Sequence, residues 1–246
     1  MSADVNRASE RPKRILMVVA NPATATTTGW PVGFWASELT HPFYEFAEVG
    51  YEVDIASPDG GKVEIDGFSD PRHESGYSVH DLISMGFLHT PKLTALLENT
   101  KRLDDVKVSD YDAIVVSDGQ SPMFTFPEAK NLHRLLAAFY ESGRVTAALC
   151  HGVCALLFVR LSDGKALIEG KTITGFANVE EDFADRFAGQ KMMPFRIEDE
   201  GKKLGANFVT GGLFRPFGVR DGRLVTGQQQ YSGAGTARLV IEALGL

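Results

Sequence analysis

Residues 145–153 read VTAALCHGV, a strand-like apolar run that meets a cysteine, a histidine and a glycine just before a helical segment. Ala148 and Gly152 leave room on both sides of Cys150. Small residues in those places allow a sharp strand-to-helix turn, a nucleophile elbow, which projects the thiol over the edge of a sheet. A helix N-terminus next to the sulfur would favour the thiolate and lower the thiol from its free value of ~8.5. On the residues alone Cys150 is either that nucleophile or a buried structural thiol, the fate of most free cysteines. His151 faces the sulfur only if the turn is sharp, because adjacent side chains otherwise diverge. Cys154, one helical turn on, reads as a small core residue.

Outward from the elbow, strands alternate with helices. Arg14–Ala20 (RILMVVA) is a continuous apolar run, as expected of a parallel strand buried on both faces. After a small-residue loop, Phe34, Leu39, Phe43, Phe46 and Val49 fall at roughly helical spacing, with Pro42 expected to kink or divide the helix. Gly50 stops it and Tyr51–Ser57 alternates into a second strand, which completes a right-handed crossover unit. Residues 58–109 are looser and read as an insertion or cap, with a helix at Leu93–Leu103. Then come a strand at Tyr111–Ser117, a helix at Pro127–Ser142, a strand at Arg144–Leu149 and a helix at Gly152–Val159. A strand at Lys171–Phe176, helices at Asn178–Phe187 and Pro194–Leu204, and strands near Phe208–Thr210 and Leu224–Thr226 precede a last helix at Thr236–Leu244. This order predicts one α/β domain over 14–246 behind a flexible segment 1–13. The expected architecture is a three-layer α/β/α sandwich around a mainly parallel, flavodoxin-like sheet. Ligands of such sheets bind outside the strand C-termini, here the loops at Asn21, Asp118 and Cys150.

Composition narrows the function classes. The chain has 246 residues, 43% of them hydrophobic and 23% charged, which suits one folded domain and excludes disorder for its bulk. A net charge of −7 with no basic stripe argues against nucleic acid as a partner. Two cysteines exclude a disulfide framework, Met1–Arg14 lacks the apolar core of a signal peptide, and no apolar stretch reaches the ~18 residues of a membrane span. The expected setting is therefore the reducing cytoplasm, away from membranes. His41, His73, His80, His89 and His133 show no metal-ligand spacing and read as solvated or core residues. No glycine-rich phosphate loop is present.

Two further segments carry candidate chemistry. Ser117–Met123 (SDGQSPM) ends a strand, and a backbone N–H at Gly119 together with that of His151 is placed to hold an oxyanion. Glu38 lies among Trp35, Leu39 and Phe43, where it is either an exposed helix acid or a desolvated carboxyl able to exchange a proton near neutrality. Trp30, Phe34, Phe124 and Phe214 are candidates for pocket walls or for the core.

The segments AALCHG (147–152), GFWASELTHPF (33–43), GYEVDIASPDGG (50–61), KTITGFANVEE (171–181) and DGRLVTGQ (221–228) together resemble the ThiJ/PfpI superfamily, which has a class I glutamine amidotransferase-like fold. Within it they are nearest the glutathione-independent glyoxalase III branch. The resemblance runs in order from about Arg14 to Leu244. It implies that Cys150 is the nucleophile, His151 its partner and Glu38 the carboxyl against the sulfur. Glu181 is the acid that orients the histidine, with Glu180 as the neighbouring option. Gly119, Gln120 and His151 form the oxyanion and substrate site. It further implies a small carbonyl substrate such as methylglyoxal, a hemithioacetal on Cys150, a 2-hydroxy acid product, no metal or glutathione, and a homodimer for which the C-terminal helix is a candidate interface. The chain departs from the branch at Gly119–Gln120–Ser121, where such relatives usually carry a Gly-His-Gly-type segment. Rival functions on the same residues are a cysteine hydrolase or amidotransferase-like enzyme, and a stress chaperone or thiol sensor.

Overall fold

Alternate side chains of a strand point to opposite faces, and in this chain both faces are apolar. Ile15 and Met17 join one core with Phe34, Leu39, Phe46, Val240 and Ile241, whereas Leu16 and Val18 join the other with Leu132, Leu136, Phe139 and Leu156. A strand of that kind needs helices above and below it, which gives three layers. The computed structural model describes residues 11–246; of the expected flexible segment 1–13, residues 1–10 lie outside the described residues.

The central sheet has seven strands: β1 (Arg14–Val18), β2 (Glu52–Ser57), β3 (Lys101–Arg102), β4 (Ala113–Asp118), β5 (Val145–Cys150), β6 (Gly218–Asp221) and β7 (Leu224–Gly227). Their spatial order is β6-β7-β5-β4-β1-β2-β3, parallel throughout except for β6 on β7. The helices Ala36–Glu48 and Gly233–Ala243 cover one face, and Lys130–Glu141 with Cys154–Leu157 cover the other. The chain leaves β1 toward β2 and returns to β4 on its other side, so the strand ends beside β1 form a switch-point crevice. Asp118 pairs with Cys150 in the register of β4 and β5, which sets the elbow beside that crevice.

Several elements differ from expectation. Pro42 does not divide its helix, which runs unbroken over Ala36–Glu48. One backbone bond is lost there, and the ring instead packs on Gly233, whose small size allows the approach. The helix expected at Leu93–Leu103 occupies Pro91–Glu98, because Thr100 exchanges backbone bonds with Gly61 and the next two residues join the sheet as β3. A helix at Leu82–Leu88 was not foreseen; Asp81 caps it by accepting from Ser84 N–H at 3.0 Å. The segment read as a helix over Gly152–Val159 is a 3-10 turn, His151–Val153, followed by the short helix Cys154–Leu157. Edge strand β6 carries no apolar alternation and is fixed by the tight turn at Gly222, with φ of 62°.

The segment before the first long helix is wedged between two others. A Cβ on Gly33 would stand 2.0 Å from the Glu64 carbonyl oxygen. Gly33→Ala is therefore expected to cost about 2 kcal/mol or more, since the two backbones must separate. Gly235, in the C-terminal helix with open space around it among the described residues, provides the contrast. Gly235→Ala is expected to stabilise by about 0.5–1 kcal/mol. Denaturant unfolding of the two variants checks both signs.

Candidate active site

Strand β5 ends in a strained residue. Cys150 has φ 56° and ψ −135°, a conformation that costs a non-glycine residue about 1–3 kcal/mol. Two glycines make the turn possible. A Cβ on Gly152 would lie 3.0 Å from the Val116 carbonyl oxygen, and one on Gly175 would lie 3.0 Å from the Val153 side chain. The turn leaves Cys150 only 3% exposed. Burial pushes its thiol well above the ordinary value, and the neighbouring Glu38 carboxyl adds to the shift. This reverses the expectation of a thiolate favoured by a helix terminus. The helix beyond the elbow has four residues and starts after the 3-10 turn, too short and too late to offset desolvation.

Glu38 is carried by the first turn of its helix and is 1% exposed. Its carboxyl lies against the Cys150 thiol, and burial pushes it well above the usual carboxylate range. Neither of its oxygens meets conventional hydrogen-bond geometry with a partner among the described residues. A buried acid and a buried thiol thus face each other, and neither is readily charged.

The histidine stands in line behind them. His151 Nδ1 lies 3.8 Å from Cys150 Sγ, and its Nε2 lies 3.1 Å from Glu181 Oε1. With Nε2–H donated to the carboxylate, Nδ1 faces the sulfur as an acceptor. Phe176 stacks on the ring at 4.1 Å between centroids. The neighbouring Glu180 has other work. Its Oε2 accepts from Ala177 N–H at 2.9 Å, and its Oε1 accepts from Gln228 Nε2 at 2.7 Å and Phe214 N–H at 3.1 Å. Of the two acids left open by the sequence, the structure puts Glu181 on the histidine.

All six sequence-predicted site residues, Glu38, Gly119, Gln120, Cys150, His151 and Glu181, line one cavity of about 610 Å³. Gly119 has to be glycine, since a Cβ there would lie 2.6 Å from Trp35 N. Trp30 and Phe214 line the cavity, whereas Phe34 and Phe124 pack into the two cores. His73, read as solvated or core, is also on the cavity wall. His41 pairs with Asp81 at 2.8 Å, and His133 Nε2–H donates to the Phe126 carbonyl at 2.8 Å, both outside the cavity lining. Cys154 is fully buried, with its thiol donating to the Pro122 carbonyl at 3.5 Å. Among the described residues no group of three or more His, Cys, Asp or Glu side chains is arranged to hold a metal ion. Among the described residues no helix is long and apolar enough to cross a membrane.

Asp66 is the site residue that sequence reasoning missed. It follows Ile65, which bridges to Phe34; Phe34 N–H donates to the Glu64 carbonyl at 3.0 Å and Asp66 N–H to the Phe34 carbonyl at 2.8 Å. That bridge carries Asp66 to the cavity wall, where it is 6% exposed and its Oδ2 has no hydrogen-bond partner among the described residues. Burial pushes its carboxyl up to about 7, with the His151 ring pulling the other way. The only available signal was the Asp66–Gly67 pair, which reads as a surface turn.

Fold and site together define a flavodoxin-like α/β protein with a cysteine elbow at the C-terminal edge of its parallel strands. The chain belongs to the DJ-1/PfpI family, whose model matches residues 31–243. Glyoxalase 3 of Candida albicans is similar to it at 32% identity over 238 residues, 94% of this chain and 98% of that protein. The glutathione-independent glyoxalase HSP31 of Saccharomyces cerevisiae is 32% identical over 250 residues, 95% of this chain and 98% of that protein. Among solved structures, the Rapid Encystment Protein 24 kDa of Francisella tularensis superposes with a TM-score of 0.85 at 30% identity, covering 95% of this chain and 100% of that one.

The displaced titration of Asp66 sets a pH-dependent stability. Its value rises from 3.8 to about 7 on folding, so between those limits the folded protein keeps a proton that the unfolded chain has released. Stability contributed by this group falls as pH rises from about 4 and levels off above about 7. Asp66→Asn removes the penalty and keeps an acceptor for the Phe68 N–H. Its stability relative to the natural protein is expected to match at pH 4 and to gain progressively toward pH 7, by up to about 4 kcal/mol. Urea unfolding at several pH values between these limits measures the gap.

Proposed function

We propose that the protein is a glutathione-independent glyoxalase that converts 2-oxoaldehydes such as methylglyoxal to 2-hydroxy acids, with Cys150 as nucleophile. The observation that carries the reading is the buried line Cys150–His151–Glu181, with the Glu38 carboxyl against the same sulfur. The glyoxalases named among its relatives, similar along nearly the whole chain, support the same reaction.

In the proposed sequence the thiol adds to the aldehyde carbon and its proton passes to His151 Nδ1, which Glu181 steadies through Nε2. Neutral until the carbon arrives, the thiol becomes a nucleophile only as the proton leaves. Backbone N–H groups of Gly119 and His151 hold the hemithioacetal oxygen. His151 returns the thiol's proton to the hemithioacetal oxygen, takes the proton of the former aldehyde carbon and delivers it to the adjacent carbon through an enediol, while Glu38, held protonated by burial, donates to the oxygen that becomes the product hydroxyl. The carbonyl carbon is thereby reduced and the sulfur-bearing carbon oxidised, with no external oxidant. Water then cleaves the thioester, releasing the 2-hydroxy acid and restoring the thiol. Gln120, which stands where such relatives usually carry histidine, offers a donor and an acceptor but no titrating group.

Consumption of methylglyoxal without glutathione, with lactate as the product, tests the proposal. Cys150→Ala is expected to lose activity by about 10³-fold or more. Glu38→Gln should lose about 10²-fold, and Glu181→Gln about 10–100-fold with little change in KM. Turnover retained by Cys150→Ala overturns the mechanism. Rapid alkylation of Cys150 with no 2-oxoaldehyde turnover redirects the same nucleophile to acyl transfer.

A further inference from the structure

The cavity above Cys150 is much larger than methylglyoxal and its walls have a definite chemistry. Its volume of about 610 Å³ falls within the ~300–1,000 Å³ of pockets that enclose drug-sized ligands. From the histidine outward, the wall is a chain of rings in contact. His151 stacks on Phe176 at 4.1 Å, Phe176 meets Phe214 at 6.4 Å, and Phe214 meets Phe183 edge-on at 5.2 Å and 87°. Trp30 and Tyr77 also line the cavity. Phe183 and Phe187 line the cavity and keep 42% and 75% of their surfaces exposed, so both are open to contact with an incoming ring.

The charges of the wall point the same way. Glu38, Asp66 and Glu181 line the cavity, and among the described residues no lysine or arginine does. An anionic substrate would find no cationic partner there, and Asp66, which titrates near neutrality, would repel it as it ionises. The aromatic wall is also fixed in place. Phe214, at φ 49°, receives its hold from Glu180, and Gln228 binds the same loop through Gly211 N–H at 2.7 Å and the Gly212 carbonyl at 2.9 Å. A wall held by a buried carboxylate and amide is preorganised, so little ordering is required when a ring docks.

We infer that this cavity takes a neutral carbonyl substrate bearing an aromatic ring, seated on Phe183 and Phe214 with its carbonyl carbon at Cys150. On the glyoxalase reading, on which the reaction chemistry of this inference rests, the preferred substrate class is an arylglyoxal. Thiol addition to the aldehyde carbon, proton transfer to the benzylic carbon and thioester hydrolysis then give a mandelate-type acid with the same balance of atoms and electrons.

The experiment compares methylglyoxal, phenylglyoxal and 4-carboxyphenylglyoxal without glutathione, following acid product, in the natural protein and in Phe183→Ala. The expected kcat/KM for phenylglyoxal exceeds that for methylglyoxal by about tenfold or more, and the carboxylated analogue falls about tenfold below phenylglyoxal. In Phe183→Ala the phenyl-to-methyl ratio drops by about fivefold or more. Turnover of methylglyoxal with an equal or lower kcat/KM for phenylglyoxal overturns the inference and leaves the glyoxalase reading standing. If no 2-oxoaldehyde is converted, that reading falls, and calorimetric titration with acetophenone and acetone decides the ring site by itself. Binding of acetophenone about tenfold tighter than acetone, weakened in Phe183→Ala, supports the aromatic site, and equal binding of the two overturns it.

Discussion

Cys150 and Glu38 are buried against one another in a place where neither carries a charge at low cost. Most of the surrounding architecture serves that juxtaposition. The sulfur reaches the spot because β5 ends in a disfavoured backbone conformation, which Gly152 and Gly175 permit by letting main chains and Val153 close around the turn. The carboxyl reaches it because Gly33 and Gly119 bring the start of the first long helix against two neighbouring segments with no space for a Cβ. A strain of about 1–3 kcal/mol at one residue is small beside a core closed on both faces of the sheet, so the scaffold can sustain it.

Burial also changes how the nucleophile works on the proposed mechanism. An exposed thiolate is ready at all times and is equally ready for oxidants. Here the thiol stays neutral until a carbonyl displaces its proton toward His151, whose orientation is set by Glu181 and by the stacked Phe176. Reactivity then depends on what occupies the cavity, and wall chemistry becomes part of the proton inventory. Asp66 belongs to that inventory, since burial places its titration near neutrality on the same wall.

The fold was legible where burial is symmetrical. β1, β4 and β5 are closed on both faces, so their sequences run apolar and announce parallel strands, and the elbow follows from small residues around Cys150. β6 was illegible because its edge position imposes no apolar pattern. Pro42 misled because a proline ring can pack on a glycine of another helix, a contact some 190 residues away in the chain. At the site, residue identity was readable but environment was not. The direction of the Cys150 shift depends on how deeply the sulfur lies, and Asp66 is brought in by a bridge between Phe34 and Ile65 that leaves no local mark. Glu180 and Glu181 are indistinguishable in sequence, and only the helix start separates their directions.

That helix start ties two tasks to one fixture. Glu180 anchors the beginning of its helix at Ala177 and, with Gln228, the loop bearing Phe214; the next residue, Glu181, reaches the opposite way to the histidine. On the proposed mechanism and substrate, recognition and proton handling therefore share a common foundation one residue wide. Remodelling the Phe214 loop for a different guest would tug on the anchor beside the relay, so divergence of substrate range in this chain has a freer route through Phe183 and Phe187, which project from the same helix farther from that anchor.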